Sequence, residues 1–361
     1  MPIGSNGHFS GWESLMVNER PFVSICVPTY NAEETIRETL FSIIHQTYPN
    51  LEILIVDNFS TDRTLEIVSQ FQDVRIVIHR NAKNIGGEEN FTRCMNLARG
   101  QYTAIYHADD VYAPIMVEKQ VAYLEKHPAS GAVFTNATYI DEKSRVIGRN
   151  KAPKAFMSMT CGECLYDFQT ILKTILRHSN FLICPSAMVR TCIYQQEIVV
   201  WRHDLFGSSA DLDVWLRILN HHFIGILPER LMQYRMSVRQ GSYALIRMRT
   251  ERADLFRVID YYLEKKEVKE TLSSYDYRNY ASLNRTDRVM RAMNLMLSRK
   301  RDAAQELIAD IYSQDSFLTC FHSIRDLQIL LLGSYLKLII LFKMDQLGVY
   351  FLKCLRAWRR K

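Results

Sequence analysis

The sequence predicts an α/β fold built on a Rossmann-like, mostly parallel sheet and followed by a helical C-terminal region. From residue 21 onward, short β-branched apolar runs alternate with stretches whose apolar residues recur at helical spacing. Alternation at this interval is typical of right-handed crossovers, which set parallel strands side by side with helices on both faces. From about residue 243 to 312, charged residues recur at i,i+3 and i,i+4, which indicates helices.

The first part of the chain predicts four strands separated by three helices. Runs such as VSICV and LEILIV are short, apolar and rich in β-branched residues, as buried strands are. The predicted strands cover residues 23–27, 51–56, 74–78 and 102–106, and the helices cover residues 33–45, 64–71 and 88–98. Ser60 or Thr61 is the expected N-cap of the second helix, because a hydroxyl can accept a free backbone N–H there.

After residue 110 the alternation loosens, but it predicts the same kinds of element. Helices are expected over residues 117–126 and 212–219, and strands near residues 132–134, 186–189 and 224–227. The expected organisation is an N-terminal extension, an α/β domain, a helical region and a basic tail. These units cover residues 1–20, 21–242, 243–322 and 323–361.

Composition and charge exclude several classes of protein. A 361-residue chain with 48% hydrophobic and 23% charged residues is globular rather than disordered, collagen-like or coiled-coil. Residues 323–361 contain eight basic and two acidic residues, so the net charge of this segment, +6, equals that of the whole chain. The rest of the chain is balanced, so we expect no nucleic-acid partner. The N-terminus has no secretory pattern, and eight cysteines are too sparse for a disulfide framework, so a cytoplasmic location is expected.

The tail combines apolar and basic residues. Residues 327–342 form a 16-residue apolar run that is interrupted by Lys337 and is short of the roughly 20 residues needed to span a bilayer. The segment after residue 345 places large apolar side chains opposite clustered cations, as helices at a membrane surface do. We therefore expect peripheral association with the cytoplasmic face of a membrane. The alternative is that both segments pack on the helical region or on a second copy of the chain.

Acidic residues follow two of the predicted parallel strands. Asp57 comes directly after the second strand, and the fourth strand leads into Asp109 and Asp110. Ligands bind at the carboxyl ends of strands in open parallel sheets, and carboxylates gathered there repel one another unless a cation lies between them. The pattern predicts Mn²⁺ or Mg²⁺ with a diphosphate or polyhydroxy ligand. The first strand is followed by neither a Gly-x-Gly-x-x-Gly turn nor a Gly-Lys-Ser/Thr loop, which excludes dinucleotide and P-loop sites there.

Four ordered motifs within residues 21–242 resemble family 2 glycosyltransferases, which have the GT-A fold. They are VSICVPTYNAEETIRETLFSIIHQTYPNLEILIVDNFSTD, NIGGEENFTRCMNLARG, YHADDVYAP and SADLDVWLRI. The resemblance implies a nucleotide-sugar donor held by one set of residues and a metal ion held by Asp110. The implied donor-binding residues are Pro28, Thr29, Tyr30, Asp57, Asn84, Gly86, Asp109, Asp110 and Arg235.

The resemblance also implies the reaction. Asp211 corresponds to the catalytic base, which takes a proton from an acceptor hydroxyl as that oxygen displaces the nucleoside diphosphate with inversion. Leaving-group charge would be stabilised by the metal. The basic tail favours a lipid-linked saccharide as the acceptor, as in the assembly of surface polysaccharides. Asp213 is expected to serve structure or acceptor binding, because positions two apart do not share a helix face.

Several alternatives remain open at the level of sequence. His107 and Ala210 stand where many relatives carry Asp and Glu, so the protein could be a non-catalytic scaffold that binds nucleotide sugars. Asp57, Asp109 and Asp211 could each be a simple helix cap. Arg235 could lie at the surface rather than reach a diphosphate. Trp201 and Trp215 are expected in the core rather than as platforms for a sugar.

Overall fold

The computed structural model describes residues 20–150, 152–157, 164–236, 249–311 and 324–344. Its strands join in one mixed sheet with the order β3-β2-β1-β4-β8-β6-β9-β5, and β7 pairs with β6. The strands are β1 (Val23–Thr29), β2 (Leu51–Asp57), β3 (Ile76–Arg80), β4 (Tyr102–Ile105), β5 (Val111–Tyr112), β6 (Ser130–Ile140), β7 (Val146–Arg149), β8 (Met188–Arg190) and β9 (Phe223–Arg235).

Thirteen α-helical segments lie within the described residues. They are α1 (Ile36–Ile44), α2 (Thr64–Val68), α3 (Gly87–Leu97), α4 (Met116–Lys126), α5 (Phe168–His178), α6 (Thr191–Ile193), α7 (His203–Phe206), α8 (Ala210–Ile218), α9 (Asp254–Glu264), α10 (Lys266–Lys269), α11 (Ser274–Leu297), α12 (Arg301–Leu307) and α13 (Ile324–Leu341). Short 3₁₀ turns cover Lys154–Phe156, Cys184–Ser186 and Gly207–Ser209, and a π turn covers Tyr194–Ile198.

The predicted alternation of strands and helices is confirmed, and the parallel part of the sheet contains a switch point. β1 pairs in parallel with β2 on one side and with β4 on the other, and β2 pairs in parallel with β3. Because the chain order reverses between β2 and β4, a crevice opens at the carboxyl end of β1. The strand ends predicted to carry ligand-binding residues therefore meet at one edge of the sheet.

The second half of the sheet is mixed rather than parallel. β8 pairs antiparallel with both β4 and β6, while the long strands β6 and β9 run parallel to each other. β5 follows directly on the acidic turn after β4 and pairs antiparallel with the end of β9. This pairing places Asp110 against Arg235, 125 residues further along the chain.

Helices cover both faces of the sheet, as predicted. Alternate residues of β1 enter two different cores: Val23, Ile25 and Val27 pack with α1 and α4, whereas Cys26 packs with α3 and α8. Side chains of α9, including Tyr262, belong to the same core as α8. Trp215 is buried there with its ring edge-on to Phe134, as expected of a core residue.

Two local predictions differ from the structure. The third strand begins at Ile76 rather than at residue 74, because Asp73 accepts the backbone N–H of Arg75 and ion-pairs with its guanidinium. That turn leaves Val74 fully exposed. The second helix is capped neither by Ser60 nor by Thr61, since Asp62 accepts the N–H of Thr64, the first residue of α2.

The described part of the tail packs on the helical region. Ile329, Leu336, Ile339 and Ile340 of α13 are buried against α11 and α12. Lys337, which interrupts the apolar run, donates to the carbonyl of Ala309 at 3.0 Å. Among the described helices, none combines the length and apolar character needed to cross a bilayer. The N-terminal extension up to residue 19 and the basic segment from residue 345 lie outside the described residues.

Candidate active site

Two neighbouring cavities open at the carboxyl edge of the parallel strands. The smaller cavity, of about 540 Å³, is lined by Pro28, Thr29 and Tyr30 after β1. The larger cavity, of about 970 Å³, contains Asp211 at the start of α8. Both are lined by Phe91, His107 and Asp109, so these three side chains form their common wall. The arrangement gives one cleft with two compartments.

The turn after β4 gathers three possible metal ligands. One ligand atom from each of His107, Asp109 and Asp110 lies within 4.8 Å of the other two. His107 Nδ1 lies 3.9 Å from Asp110 Oδ2. Within the described part of the chain, His107 Nε2 and Asp110 Oδ2 are buried without a hydrogen-bond partner. Buried polar atoms of this kind ordinarily have partners, so a cation would complete the site.

Burial shifts the titration of this cluster. Desolvation raises the pKa of Asp110 well above its usual value, with the negative charge of Asp109 adding to the effect. Desolvation also lowers the pKa of His107, which favours the neutral imidazole. A carboxylate and a neutral imidazole are the forms that bind a metal ion, and a divalent cation between them would favour both.

Arg235 is buried and holds the acidic turn in place. Its backbone N–H donates to Asp110 Oδ1 at 2.8 Å, and its Nε donates to the carbonyl of Asp109 at 2.7 Å. Its remaining guanidinium nitrogens bind Glu38, Ser144 and the carbonyl of Asp141. The residue is 2% exposed, so the surface alternative for Arg235 is wrong. Arg235 lines the smaller cavity, but these hydrogen bonds fix the orientation of its guanidinium group.

Asp57 is fully buried at the end of β2 and lines neither cavity. Its Oδ2 accepts the N–H of Ser60 at 3.1 Å and lies 3.5 Å from Arg80 Nε. Its Oδ1 has no hydrogen-bond partner among the described residues. The carboxylate therefore closes a turn after β2 and does not cap α2, which begins seven residues later.

Asn58, which sequence reasoning missed, connects the smaller cavity to the loop before α3. Its Nδ2 donates to Asn84 Oδ1 at 2.9 Å and to the carbonyl of Gly86 at 3.0 Å. Gly86 has φ 92°, a conformation that glycine adopts without strain. Asn84 and Gly86 therefore support the cavity through Asn58, which lines it. The asparagines at positions 58, 81, 84 and 90 are the sequence feature that could have indicated this role of Asn58.

Asp211 lies in the first turn of α8 and faces the larger cavity. Its Oδ1 accepts the N–H of the adjacent Leu212 at 2.8 Å, while Ser209 occupies the N-cap position. The simple-cap alternative for Asp211 therefore does not describe it. Desolvation raises the pKa of Asp211 to about 6. A carboxylate with this pKa is ionised at neutral pH and can still accept a proton, which suits a general base.

Asp213 is buried two residues further on, and of the two roles expected for it, structure or acceptor binding, its contacts are those of the first. Both Arg202 and Arg217 ion-pair with it, the latter with a distance of 3.0 Å between Arg217 Nε and Asp213 Oδ2. The Tyr262 hydroxyl of α9 donates to Asp213 Oδ1 at 3.0 Å. Together with Asp254, which accepts the backbone N–H of Ser208, these contacts fix the start of α8.

The strand order and the helices on both faces of the sheet give the GT-A fold that solved glycosyltransferases have. The mannosyltransferase PcManGT of Pyrobaculum calidifontis, solved with GDP-Man and Mn²⁺, superposes with a TM-score of 0.53 at 17% identity, covering 95% of this chain and 88% of that chain. A sequence model described as glycosyl transferase family 2 matches residues 24–197. An uncharacterized glycosyltransferase of Methanocaldococcus jannaschii is 30% identical over 239 residues, which are 63% of this chain and 76% of that protein.

The chain belongs to glycosyl transferase family 2. A further relative is the UDP-Glc:alpha-D-GlcNAc-diphosphoundecaprenol beta-1,3-glucosyltransferase WfaP of Escherichia coli, which is 34% identical over 127 residues. The matched part is 35% of this chain and 49% of that enzyme. The name of this relative describes a nucleotide-sugar donor and an acceptor in which GlcNAc is linked to a lipid through a diphosphate.

Proposed function

We propose that the protein transfers a sugar from a nucleoside-diphosphate sugar to an acceptor hydroxyl with inversion. The observation that carries the proposal is the common wall of the two cavities. Asp109 faces both the compartment at the strand ends and the compartment that holds Asp211. A donor whose diphosphate lies near Asp109 would therefore present its sugar to an acceptor near Asp211, as in-line displacement requires.

The smaller cavity is assigned to the nucleoside of the donor. Pro28, Thr29 and Tyr30 border it and would contact the base and ribose, and Asn84 and Gly86 support its far side through Asn58. Asp57 does not line this cavity, so its assignment to the base rests on its Oδ1, which has no partner among the described residues and would accept an N–H of the base. Arg235 would act on the diphosphate through the turn that it holds and through its charge.

The cluster after β4 is assigned to a divalent metal ion. His107, Asp109 and Asp110 offer one nitrogen and two carboxylate ligands, and the orphaned atoms of His107 and Asp110 fit this role. Either Mn²⁺ or Mg²⁺ suits the carboxylates, and the imidazole favours Mn²⁺ over Mg²⁺. When bound, such an ion neutralises charge on the departing nucleoside diphosphate.

Asp211 is assigned as the general base. Its carboxylate faces the larger cavity, where an acceptor hydroxyl would donate its proton as the oxygen attacks the anomeric carbon. Asp213 acts as a positioning residue, because its ion pairs fix α8 rather than face the cavity. The catalytic unit is assigned to residues 21–242, with residues 243–322 as a helical region.

A membrane-linked acceptor is part of the proposal, and residues 323–361 are assigned to the membrane contact. Leu327, Leu331, Leu338, Leu341 and Phe342 of the described tail are 40–69% exposed. The sequence after residue 345 adds five basic residues, which would attract anionic lipids. Peripheral binding of this kind would bring the cleft to an acceptor in the bilayer of a cell that assembles surface polysaccharide.

The transfer reaction is tested with purified full-length protein, Mn²⁺ and a panel of UDP-, GDP- and dTDP-sugars. Release of nucleoside diphosphate and labelling of a GlcNAc-diphospholipid are measured. We expect Asp211→Asn to lower turnover by about 10²–10⁴-fold, because it removes the base. The matched control is Asp204→Asn on α7, an exposed carboxylate that lines neither cavity. Equal turnover in the two variants would refute the assignment of Asp211.

The membrane contact is tested by sedimentation with vesicles of phosphatidylglycerol and phosphatidylethanolamine. Leu331→Glu and Leu338→Glu place charges on the exposed face of α13 without touching its buried face. Both variants should bind vesicles more weakly than the wild type. The control is Val74→Glu, which changes a fully exposed apolar residue on the catalytic unit. Unchanged binding by the α13 variants would contradict a membrane role for this face.

A further inference from the structure

The larger cavity is lined by more acidic than permanently basic side chains. Glu88, Asp109 and Asp211 supply three carboxylates. Arg149 is the one arginine among the described residues that line this cavity, and no described lysine lines it. A ligand with negative charge would therefore be directed towards Arg149 and away from the carboxylates.

Arg149 differs from other arginines near the cleft in that no described residue pairs with its charge. The guanidinium of Arg235 donates to four described residues, and Arg202 and Arg217 ion-pair with Asp213. Arg149 is exposed at the end of β7, and within the described part of the chain it makes neither an ion pair nor a side-chain hydrogen bond. Its guanidinium is available to a ligand in the cavity.

The strand that carries Arg149 also offers an apolar contact. Ile147 lies two positions earlier on β7, so both side chains project from the same face of the strand, and both line the larger cavity. Ile147 is 56% exposed, although a large aliphatic side chain gains by burial. A cation beside an unburied apolar residue suits an amphiphile with a phosphate group next to a hydrocarbon chain.

We propose that Arg149 binds the phosphate of a phospholipid-linked acceptor while Ile147 contacts the start of its lipid. This inference rests on the proposed function, because it takes the larger cavity as the acceptor compartment. The acceptor sugar then lies between Arg149 and Asp211, and its hydroxyl reaches the base. A planar guanidinium can donate two parallel hydrogen bonds to a phosphate, which an ammonium group cannot do.

The same charge could instead serve the donor, whose diphosphate is also anionic. The two roles differ in what loss of Arg149 would change. Binding to the acceptor phosphate predicts a higher KM for phosphate-bearing acceptors alone. Binding to the donor predicts weaker binding of UDP or GDP in the absence of any acceptor.

The experiment compares Arg149→Ala and Arg149→Lys with the wild type, using two acceptors of equal chain length. One is a GlcNAc diphosphate with a short alkyl chain, and the other is the alkyl GlcNAc glycoside, which lacks phosphate. Arg149→Ala should raise the KM for the diphosphate acceptor about 10–100-fold with kcat nearly unchanged, because a charge-assisted hydrogen bond is lost. Arg149→Lys should recover part of this loss. The KM for the alkyl glycoside should not change.

The control is Arg177→Ala, which removes an exposed arginine of α5 that lines neither cavity. Equal KM changes for the two acceptors, no change for either, or weaker donor binding by calorimetry would overturn the inference. Calorimetric binding of the diphosphate acceptor is measured separately. If the wild type binds it but transfers no sugar from any donor, the proposed function fails. Loss of that binding in Arg149→Ala would still support the role of Arg149.

Discussion

The carboxyl of Asp211 sets a pH limit on the proposed reaction. Its pKa is raised to about 6 by desolvation, and a general base must be ionised to act. We therefore expect kcat/KM to be constant above about pH 7 and to fall about tenfold for each pH unit below 6. The other ionisable side chains among the described residues that line its cavity are Glu88, His107, Asp109, Tyr139, Arg149, His178, Cys184 and Tyr234.

This pH profile is measured with saturating Mn²⁺, and donor binding is followed by calorimetry at the same pH values. Asp204→Asn should show the same profile as the wild type, since Asp204 lies outside the cavity. If donor binding falls in parallel with kcat/KM, the profile reports the donor site rather than Asp211. A flat profile between pH 5 and 7 would contradict the assigned pKa.

The same raised pKa predicts a cost in stability. The folded pKa of about 6 exceeds the ordinary value of 3.8, so the folded state binds the proton more tightly than the unfolded chain. The contribution of this group is present below the unfolded pKa and is lost as the pH rises through 6. Asp211→Asn avoids this loss and should raise the free energy of unfolding by about 1–3 kcal/mol at pH 8. Denaturant unfolding should show about half that gain at pH 5.

At the scale of elements, the contact of α13 with α11 and with Ile311, which follows α12, depends on Gly333. A Cβ at this position would lie 1.9 Å from Ile311 Cδ1 and 3.3 Å from Val289 Cγ2. Gly333→Ala should therefore lower the free energy of unfolding by about 1–3 kcal/mol despite the better helix propensity of alanine. Ser334→Ala is the control, because its hydroxyl bonds the Leu330 carbonyl of the same helix.

A second substitution separates this steric effect from others. Ile311→Ala removes the atoms that the new Cβ would meet, so the double variant should lose less stability than the sum of the two single variants. Chemical unfolding of the four proteins measures this coupling. Strict additivity would show that α13 does not approach Ile311 as closely as the structure describes.

The limits of sequence-based prediction are clearest in β6 and β9. The sequence predicts a strand over only residues 132–134 of β6 and residues 224–227 of β9. In the structure, β6 has 11 residues and β9 has 13. Polar residues end the apolar pattern, but Asn136 donates to the carbonyls of Leu227 and Pro228 across the pair. The extra length is thus stabilised by tertiary pairing, which a local pattern cannot report.

The candidate site shows the same division. Residues at the ends of β1, β2 and β4 could be predicted to meet, because parallel strands bring their carboxyl ends to one edge. The larger cavity could not be predicted, since β7 and α5 supply part of its wall and neither was expected from the sequence. The sequence therefore did not point to Arg149 as a site residue. It pointed to Asp211 only through the motif that contains it.

At the scale of the whole molecule, the helical region completes the core that supports α8. Seven buried apolar side chains after residue 249 belong to the same cluster as Trp215: Phe256, Val258, Ile259, Tyr262, Leu263, Val268 and Leu283. Asp254 and Tyr262 also bind the backbone and side chain at the start of α8. Burying seven such side chains is worth on the order of 10 kcal/mol, comparable with the stability of a typical domain.

A chain that ends at residue 242 should therefore not fold stably, although it contains every motif of the family. Loss of the helical region would expose the core around Trp215 and leave Asp213 without the Tyr262 hydroxyl. We expect low solubility, no cooperative thermal transition and no binding of UDP or GDP with Mn²⁺. The full chain serves as control and should bind one of these nucleotides. If the shortened chain unfolds cooperatively at the same temperature and binds the nucleotide equally well, the helical region is independent of the catalytic unit, and the contacts of Asp254 and Tyr262 do not position the base.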